Sequence, residues 1–202
     1  MIKNIVFDMG GVLIDYDVKR TIGQFFKKEY QDVILKEVFC SPLWDELDRG
    51  TRFSDDTIPE MLSKIPKETH ALVTEMVDNF YPYMPPFPEM YDFIKRLKAA
   101  GYKIYLLSNA SRRFYDRKDY IPAISLFDGL FISADYKMLK PEKQIYETFF
   151  KKFSLKPEEC FFIDDRASNI EGAKNCGMDG FVFHISKLCE LEKTLNALDV
   201  KF

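Results

Sequence analysis

The chain has 202 residues, of which 47% are hydrophobic, enough for a sizeable core in one large domain or in a domain with an insertion. Its formal net charge of −3 argues against a nucleic-acid-binding surface, and no apolar run approaches the roughly 18 residues of a membrane span. The first residues turn acidic too soon for a signal peptide, and the four cysteines are scattered. These features predict a cytoplasmic protein that binds neither nucleic acid nor a membrane.

The first predicted element is a buried strand over residues 2–7, followed by an acid and two glycines in the stretch FDMGGVLID. From about Val18 to Tyr83, apolar residues recur at helical spacing among charges, which predicts an all-helical segment. The stretch YPYMPPFPEM contains four prolines and cannot continue a helix. It therefore marks a boundary between the helical segment and the rest of the chain.

Beyond this boundary, helical and strand patterns alternate. MYDFIKRLKAAG, PEKQIYETFFKKF, NIEGAKNCG and SKLCELEKTLNAL predict helices, the second with Pro141 in its first turn. KIYLLSN, LFDGLFIS, CFFIDD and GFVFHI predict or contain strands. This alternation predicts an α/β fold with a doubly wound parallel sheet, in which ligands bind beyond the carboxyl ends of the strands.

Polar residues cluster at these predicted strand ends. Each has an ordinary explanation as a turn, cap or solvated residue, but the sheet would bring them to one crevice. They are Asp8, Ser108, Asn109, Asp164 and Asp165, with Lys140 in the loop before a helix. Phosphoryl transfer suits this set, because a carboxylate can attack phosphorus when a cation offsets the repulsion between the two anions. Mg²⁺ takes oxygen ligands, and a lysine supplies a further positive charge.

In this order, FDMGGVLID, LLSNA, LKPEKQIYE and FFIDDRASNIEGA resemble the four motifs of the haloacid dehalogenase (HAD) superfamily. The resemblance covers essentially the whole chain, and the ordered set is more specific than any single motif. It implies a Rossmann-like core formed by residues 1–16 and 86–202, and a small helical cap domain formed by residues 17–85. The aromatic residues of the cap, including Trp44 and Phe53, are expected mainly to pack its helices, with Trp44 as a possible substrate contact.

The resemblance also implies a role for each motif residue. Asp8 would be the nucleophile and a metal ligand, and Mg²⁺ would be the cofactor. The backbone carbonyl of Gly10 and the carboxylate of Asp165 would complete the protein ligands of the metal. Asp164 would support the site from behind these ligands.

The remaining motif residues are implied to handle the phosphoryl group. Ser108 and Asn109 would bind it, and Lys140 would pair with the phosphate and the nucleophile as a catalytic residue. The amides that follow Ser108 would donate further hydrogen bonds to phosphate oxygens.

One position departs from the pattern of most phosphatases in this superfamily. They carry a second aspartate two residues after the nucleophile, which protonates the leaving oxygen, but this chain has Gly10. A subgroup with the first motif F-D-x-G-x-V, which includes α-D-glucose 1-phosphate phosphatases, resembles the chain here. Three explanations stay open for the missing acid. The substrate has a good leaving group, a water or another acid takes the place of the aspartate, or the protein is a binding protein without catalytic activity. Asp15 and Asp17 are two further acids that would either face the site or begin the first cap helix.

These features predict a Mg²⁺-dependent phosphatase that acts on a small phosphorylated metabolite, such as a hexose 1-phosphate, through an aspartyl-phosphate. The alternatives are a non-catalytic phosphate- and metal-binding regulatory protein and a metal-independent 2-haloacid dehalogenase. The paired acids Asp164 and Asp165 favour a metal over the dehalogenase, and Gly10 disfavours a phosphomutase. We expect a monomer, with a dimer as the alternative.

Overall fold

A computed structural model describes residues 1–79 and 81–202, and in them five strands form one parallel sheet of order β3-β2-β1-β4-β5. The strands are β1 (Asn4–Phe7), β2 (Lys103–Ser108), β3 (Gly129–Ile132), β4 (Cys160–Asp164) and β5 (Asp179–Val182). Every neighbouring pair is parallel. The predicted α/β fold with a doubly wound parallel sheet is confirmed.

Helices connect the strands and fill the segment after β1. They are α1 (Val18–Phe25), α2 (Lys28–Ile34), α3 (Pro42–Arg49), α4 (Ser54–Leu62), α5 (His70–Asp78), α6 (Pro88–Ala99), α7 (Phe114–Arg117), α8 (Ser133–Tyr136), α9 (Lys143–Phe153), α10 (Ala167–Asn175) and α11 (Leu188–Ala197). One prediction was wrong: α9 begins at Lys143, so Pro141 lies in the loop before this helix and not in its first turn. None of the helices in the described residues is long and apolar enough to cross a membrane.

The sheet is buried on both faces because its central strands are almost entirely apolar. All four residues of β1 and all five of β4 are buried, as a parallel sheet covered by helices on both sides requires. Alternate side chains enter different cores: Phe7 belongs to one apolar cluster and Val6 to another on the opposite face. This double packing fixes the strand ends, where the polar residues lie.

The strand register brings the polar ends to one level. Phe7 of β1 pairs with Leu106 of β2 on one side and with Ile163 of β4 on the other. The next residue of each strand therefore emerges at the same edge: Asp8, Leu107 and Asp164. The gap between β1 and β4 is also where the strand order reverses, the place at which doubly wound sheets bind ligands.

Helices α1–α5, which we call the inserted helices, have an apolar core of their own. It contains Ile22, Ile34, Met61 and Val73, none of which is more than 1% exposed. In residues 18–79 and 81–83 there is no strand, as the helical periodicity predicts. Not every aromatic residue there is buried, since Phe53 is 59% exposed.

Candidate active site

A buried lysine connects two carboxylates at the ends of β1 and β4. Lys140 Nζ lies 2.8 Å from Asp8 Oδ1 and 2.7 Å from Asp164 Oδ2, and it donates to the Leu107 carbonyl at 2.9 Å. The lysine side chain is only 1% exposed. Burial lowers its pKa, but the charges of Asp164 and Asp8 outweigh that effect and hold the pKa above its usual value. Lys140 is therefore a fixed positive charge beside Asp8.

Asn109 holds the backbone on which Lys140 stands. Its Oδ1 accepts from the Lys140 amide at 2.8 Å, and its Nδ2 donates to the Lys140 carbonyl at 3.1 Å. The side chain is thus occupied with the lysine loop, and its predicted contact with a phosphoryl group stays a prediction. Ser108, which is 1% exposed, lines the cavity described below.

Asp164 is fully buried, and both of its oxygens have partners. Oδ1 accepts from the Arg166 amide at 2.8 Å and from Asn169 Nδ2 at 2.9 Å, while Oδ2 accepts from Lys140. Because both oxygens accept hydrogen bonds from the protein, Asp164 is suited to orient its neighbours. This is compatible with the supporting role predicted for it, which stays a prediction.

Three carboxylates meet closely enough to hold a cation. Oxygens of Asp8, Asp164 and Asp165 lie within 4.8 Å of one another. The pKa of Asp165 is raised to about 7. The main cause is desolvation of its carboxyl group, and the charges of Asp8 and Asp164 add to it, although the residue as a whole is exposed. Burial is also the main cause that raises the pKa of Asp8. Clustered hard oxygen donors whose charges oppose one another fit a Mg²⁺ ion, which would relieve the repulsion.

The two glycines of the first motif meet different neighbours. Gly11 has a φ of +69°, and a Cβ atom there would lie 2.7 Å from Asp165 Oδ2. This position needs glycine because of both its backbone and its contact with the acid cluster. Gly10 is not among the residues with positive φ; instead, a Cβ atom there would lie 3.3 Å from Cγ of Tyr16. The aromatic ring therefore makes the space tight for the first atom of a second acid.

A cavity of about 490 Å³ lies between the strand ends and the inserted helices. Asp8, Gly10, Ser108, Asn109, Lys140 and Asp165 all line it. The fold therefore brings together the predicted residues, with Asp164 directly behind. The volume of the cavity suits a small ligand.

Neither Asp15 nor Asp17 is among the residues that line this cavity. Asp15 pairs with Arg20 at 2.7 Å, and Asp17 caps α1 by accepting from the Arg20 amide at 2.9 Å. Both acids thus serve the start of the first inserted helix.

Helix α3 supplies part of the opposite wall, with Trp44, Leu47 and Asp48. The backbone amide of Ser111 and the indole of Trp44 act to lower the pKa of the Asp48 carboxyl group. Burial, then the charges of Asp45 and Asp8, raises the pKa of Asp48 to about 7. This side chain was missed by sequence reasoning, because an acid in the stretch WDELDRG has the pattern of an ordinary solvated helix face.

Comparisons with known proteins agree with this geometry. A protein-family model described as haloacid dehalogenase-like hydrolase matches residues 2–177. The chain is 28% identical over 196 residues to the D-ribitol-5-phosphate phosphatase of Bacteroides thetaiotaomicron, covering 90% of this chain and 91% of the relative. It is 29% identical over 181 residues to the sesquiterpene phosphatase astK of Aspergillus oryzae, covering 88% of each.

A solved structure is similar over the same extent. It is an aspartate-to-alanine variant of a HAD family enzyme from Bacteroides thetaiotaomicron, in complex with magnesium and inorganic phosphate. The match has a TM-score of 0.71 and 26% identity, and it covers 90% of this chain and 94% of that one.

Proposed function

The chain belongs to the haloacid dehalogenase-like hydrolase family, and on that premise we propose that it is a Mg²⁺-dependent phosphatase of small phosphorylated metabolites. Membership confirms the prediction of a hydrolase of this superfamily. The observation that carries the proposal is the buried Lys140, paired with Asp8 at 2.8 Å beside a second acid, Asp165. Relatives named as phosphatases, and a similar structure holding magnesium and phosphate, support it.

In the proposed reaction, Asp8 attacks the phosphorus atom and becomes an aspartyl-phosphate, which water then hydrolyses. Lys140 favours the ionised form of Asp8 against the effect of burial, orients it, and places positive charge next to the phosphoryl oxygens. Asp8, Asp165 and the Gly10 carbonyl would hold Mg²⁺. The ion supplies charge neutralisation between the nucleophile and the phosphate. Ser108 is proposed to donate to a phosphoryl oxygen from the end of β2.

We propose that residues 17–85 act as a cap domain over a core domain of residues 1–16 and 86–202. The separate apolar core of the inserted helices supports this division, as does the cavity that lies between them and the sheet. Closure of a cap excludes water and adds contacts to the part of the substrate that does not react.

For the substrate, we propose a phosphorylated sugar or polyol, with a hexose 1-phosphate as the specific candidate. The first motif supports the hexose 1-phosphate, the ribitol phosphate phosphatase supports the broader class, and the cavity of about 490 Å³ accommodates either. We propose that the protein acts as a monomer, with a dimer as the alternative.

The test is hydrolysis of p-nitrophenyl phosphate and of a panel of sugar and polyol phosphates. We expect turnover with Mg²⁺, none after chelation with EDTA, and recovery when Mg²⁺ is returned. Absence of phosphate release under all conditions would refute the phosphatase. Turnover that EDTA leaves unchanged would refute the metal. Chloride release from 2-chloropropionate, without phosphate release from any ester, would favour the metal-independent dehalogenase.

A further inference from the structure

We propose that Asp48 of α3 is the proton donor and acceptor of this active site, in place of the acid that is absent at Gly10. This inference rests on the proposed phosphatase function and adds a catalytic residue to it. Asp48 lines the same cavity as Asp8, from the inserted helices on the opposite wall.

The backbone around Asp48 is anchored to the core at three consecutive positions. The Asp48 carbonyl accepts a hydrogen bond from the Ser133 hydroxyl. Arg49 forms an ion pair with Glu142, two residues after Lys140. Gly50, with φ of +72°, lies so close to α8 that a Cβ atom would be 2.1 Å from the Ala134 carbonyl oxygen. These contacts hold the end of α3 at the cavity.

The groups around Asp48 favour a carboxyl that holds its proton near neutral pH. Asp45 lies on the same helix, Asp8 faces it from β1, and the phenol of Tyr16 is close enough for Asp48 to raise the pKa of that tyrosine. The amide of Ser111 and the indole of Trp44 favour the charged form, but burial and the two acids prevail. A general acid works best when its pKa lies near the working pH.

Other acids are less suited to the role. Asp15 and Asp17 are engaged with Arg20 and lie away from the cavity lining. The usual position of the second acid is Gly10, which has no side chain and packs tightly against the Tyr16 ring. Asp45 lines the cavity but is exposed, whereas Asp48 is half-buried.

The two proton transfers balance the reaction. In the first step, a carboxylate oxygen of Asp8 forms a bond to phosphorus, the bond from phosphorus to the leaving oxygen breaks, and that oxygen takes the proton of Asp48. In the second step, the Asp48 carboxylate takes a proton from water while the water oxygen bonds to phosphorus. The bond between phosphorus and Asp8 breaks, which regenerates the Asp8 carboxylate and the Asp48 acid and yields inorganic phosphate.

The test measures kcat/KM for phenyl phosphate and 2,4-dinitrophenyl phosphate, whose leaving groups differ widely in acidity. We expect Asp48→Asn to lower kcat/KM about 10²–10⁴-fold for phenyl phosphate and little for the dinitrophenyl ester, which needs no proton. With the latter, the variant should release one equivalent of dinitrophenol quickly and then slow down, because the base for the second step is missing. Asp48→Glu, which retains a carboxyl group, should restore part of the phenyl phosphate activity.

Two controls separate chemistry from folding. Asp32→Asn, the same change at an exposed position of α2, should leave both rates unchanged. In the unsubstituted protein, kcat/KM for phenyl phosphate should fall above about pH 7, where Asp48 ionises, and that for the dinitrophenyl ester should not.

An equal loss for both esters, or no loss for either, would overturn the role of Asp48 while leaving the phosphatase intact. If the unsubstituted protein hydrolyses neither ester in the presence of Mg²⁺, the proposed function itself fails, and the role of Asp48 fails with it.

Discussion

The two walls of the cavity hold their charged groups in different ways. On the core wall, Lys140 and Asp164 are almost completely buried and neutralise each other directly, with Asp8 as the third partner. On the wall formed by the inserted helices, Asp48 is anchored through its backbone, and its acidic neighbours raise the pKa of its side chain. The first arrangement fixes charges in place, and the second favours a group that gains and loses a proton.

This difference follows from where the two walls come from in the chain. The core wall is built by adjacent strands whose register leaves little freedom, since Asp8 and Asp164 emerge at the same level of the sheet. The opposite wall reaches the site through a long-range contact between α3 and α8. Substitutions on the core wall should therefore affect both chemistry and stability at any pH, whereas Asp48→Asn should affect proton transfer and the pH dependence of stability.

The largest effect is expected at the nucleophile. Asp8→Asn should abolish turnover, because an amide does not attack phosphorus and the change is nearly isosteric. Phosphate release from the best substrate, measured on protein with an unchanged circular dichroism spectrum, tests this. Substantial activity in a folded, Mg²⁺-loaded variant would remove Asp8 from the proposed mechanism.

The next effect concerns the ion pairs of the core wall. Lys140→Met leaves two buried carboxylates without their cation and should lower the free energy of unfolding by about 3–5 kcal/mol. Urea unfolding at neutral pH measures this loss. The matched control is Lys143→Met, since Lys143 is exposed and its pair with Glu147 spans one helical turn, so the change there should be within about 0.5 kcal/mol. Equal losses in the two variants would contradict the difference between buried and exposed pairs.

A smaller effect tests the contact that closes the position of the usual acid. Gly10→Asp should destabilise the fold by about 1–3 kcal/mol, because its Cβ atom would press on the Tyr16 ring. The cost should shrink when Tyr16→Ala is combined with it, as a double-mutant cycle measures. Gly23→Asp, at a position where a Cβ atom meets nothing within 4 Å, should show no such coupling. Independent effects of Gly10→Asp and Tyr16→Ala would mean that the ring is not the obstacle.

A further expected effect is a pH dependence of stability. In the folded protein the pKa of Asp48 is about 7, against about 3.9 in an unfolded chain. Between these values the folded state holds a proton that the unfolded state has released, so Asp48 costs stability as the pH rises. The stability of Asp48→Asn relative to the unsubstituted protein should therefore increase from about pH 4 to pH 7 and then level off. A difference that stays constant across this range would contradict the raised pKa.

The core wall could be predicted from sequence because its residues follow apolar strands directly. The rule that parallel strands present their carboxyl ends at one edge places Asp8 and Asp164 together, and the order of the motifs adds Lys140. The occupied side chain of Asn109 was not predictable, because its partner is the backbone of residue 140, in a distant loop.

The opposite wall could not be predicted, for a different reason. Asp48 lies among other charged residues of a short amphipathic helix, and nothing local distinguishes it from Asp45. The docking of α3 against Ser133 and Ala134, which no local pattern reveals, places Asp48 beside the cavity. At Gly10 the sequence did not reveal the neighbour either: the backbone has no positive φ, and the tight contact is with the Tyr16 ring.

Trapping the phosphorylated enzyme tests the central claim most directly. The protein is mixed with Mg²⁺ and 2,4-dinitrophenyl phosphate, quenched in acid within the first turnover, and digested for peptide mass spectrometry. Asp48→Asn is the better form for this experiment, because its second step should be slow. We predict a phosphoryl group on Asp8, present in that variant at close to one per chain and absent from Asp8→Asn. Rapid release of dinitrophenol without a phosphoryl group on the protein, or with one on another residue, would contradict the account.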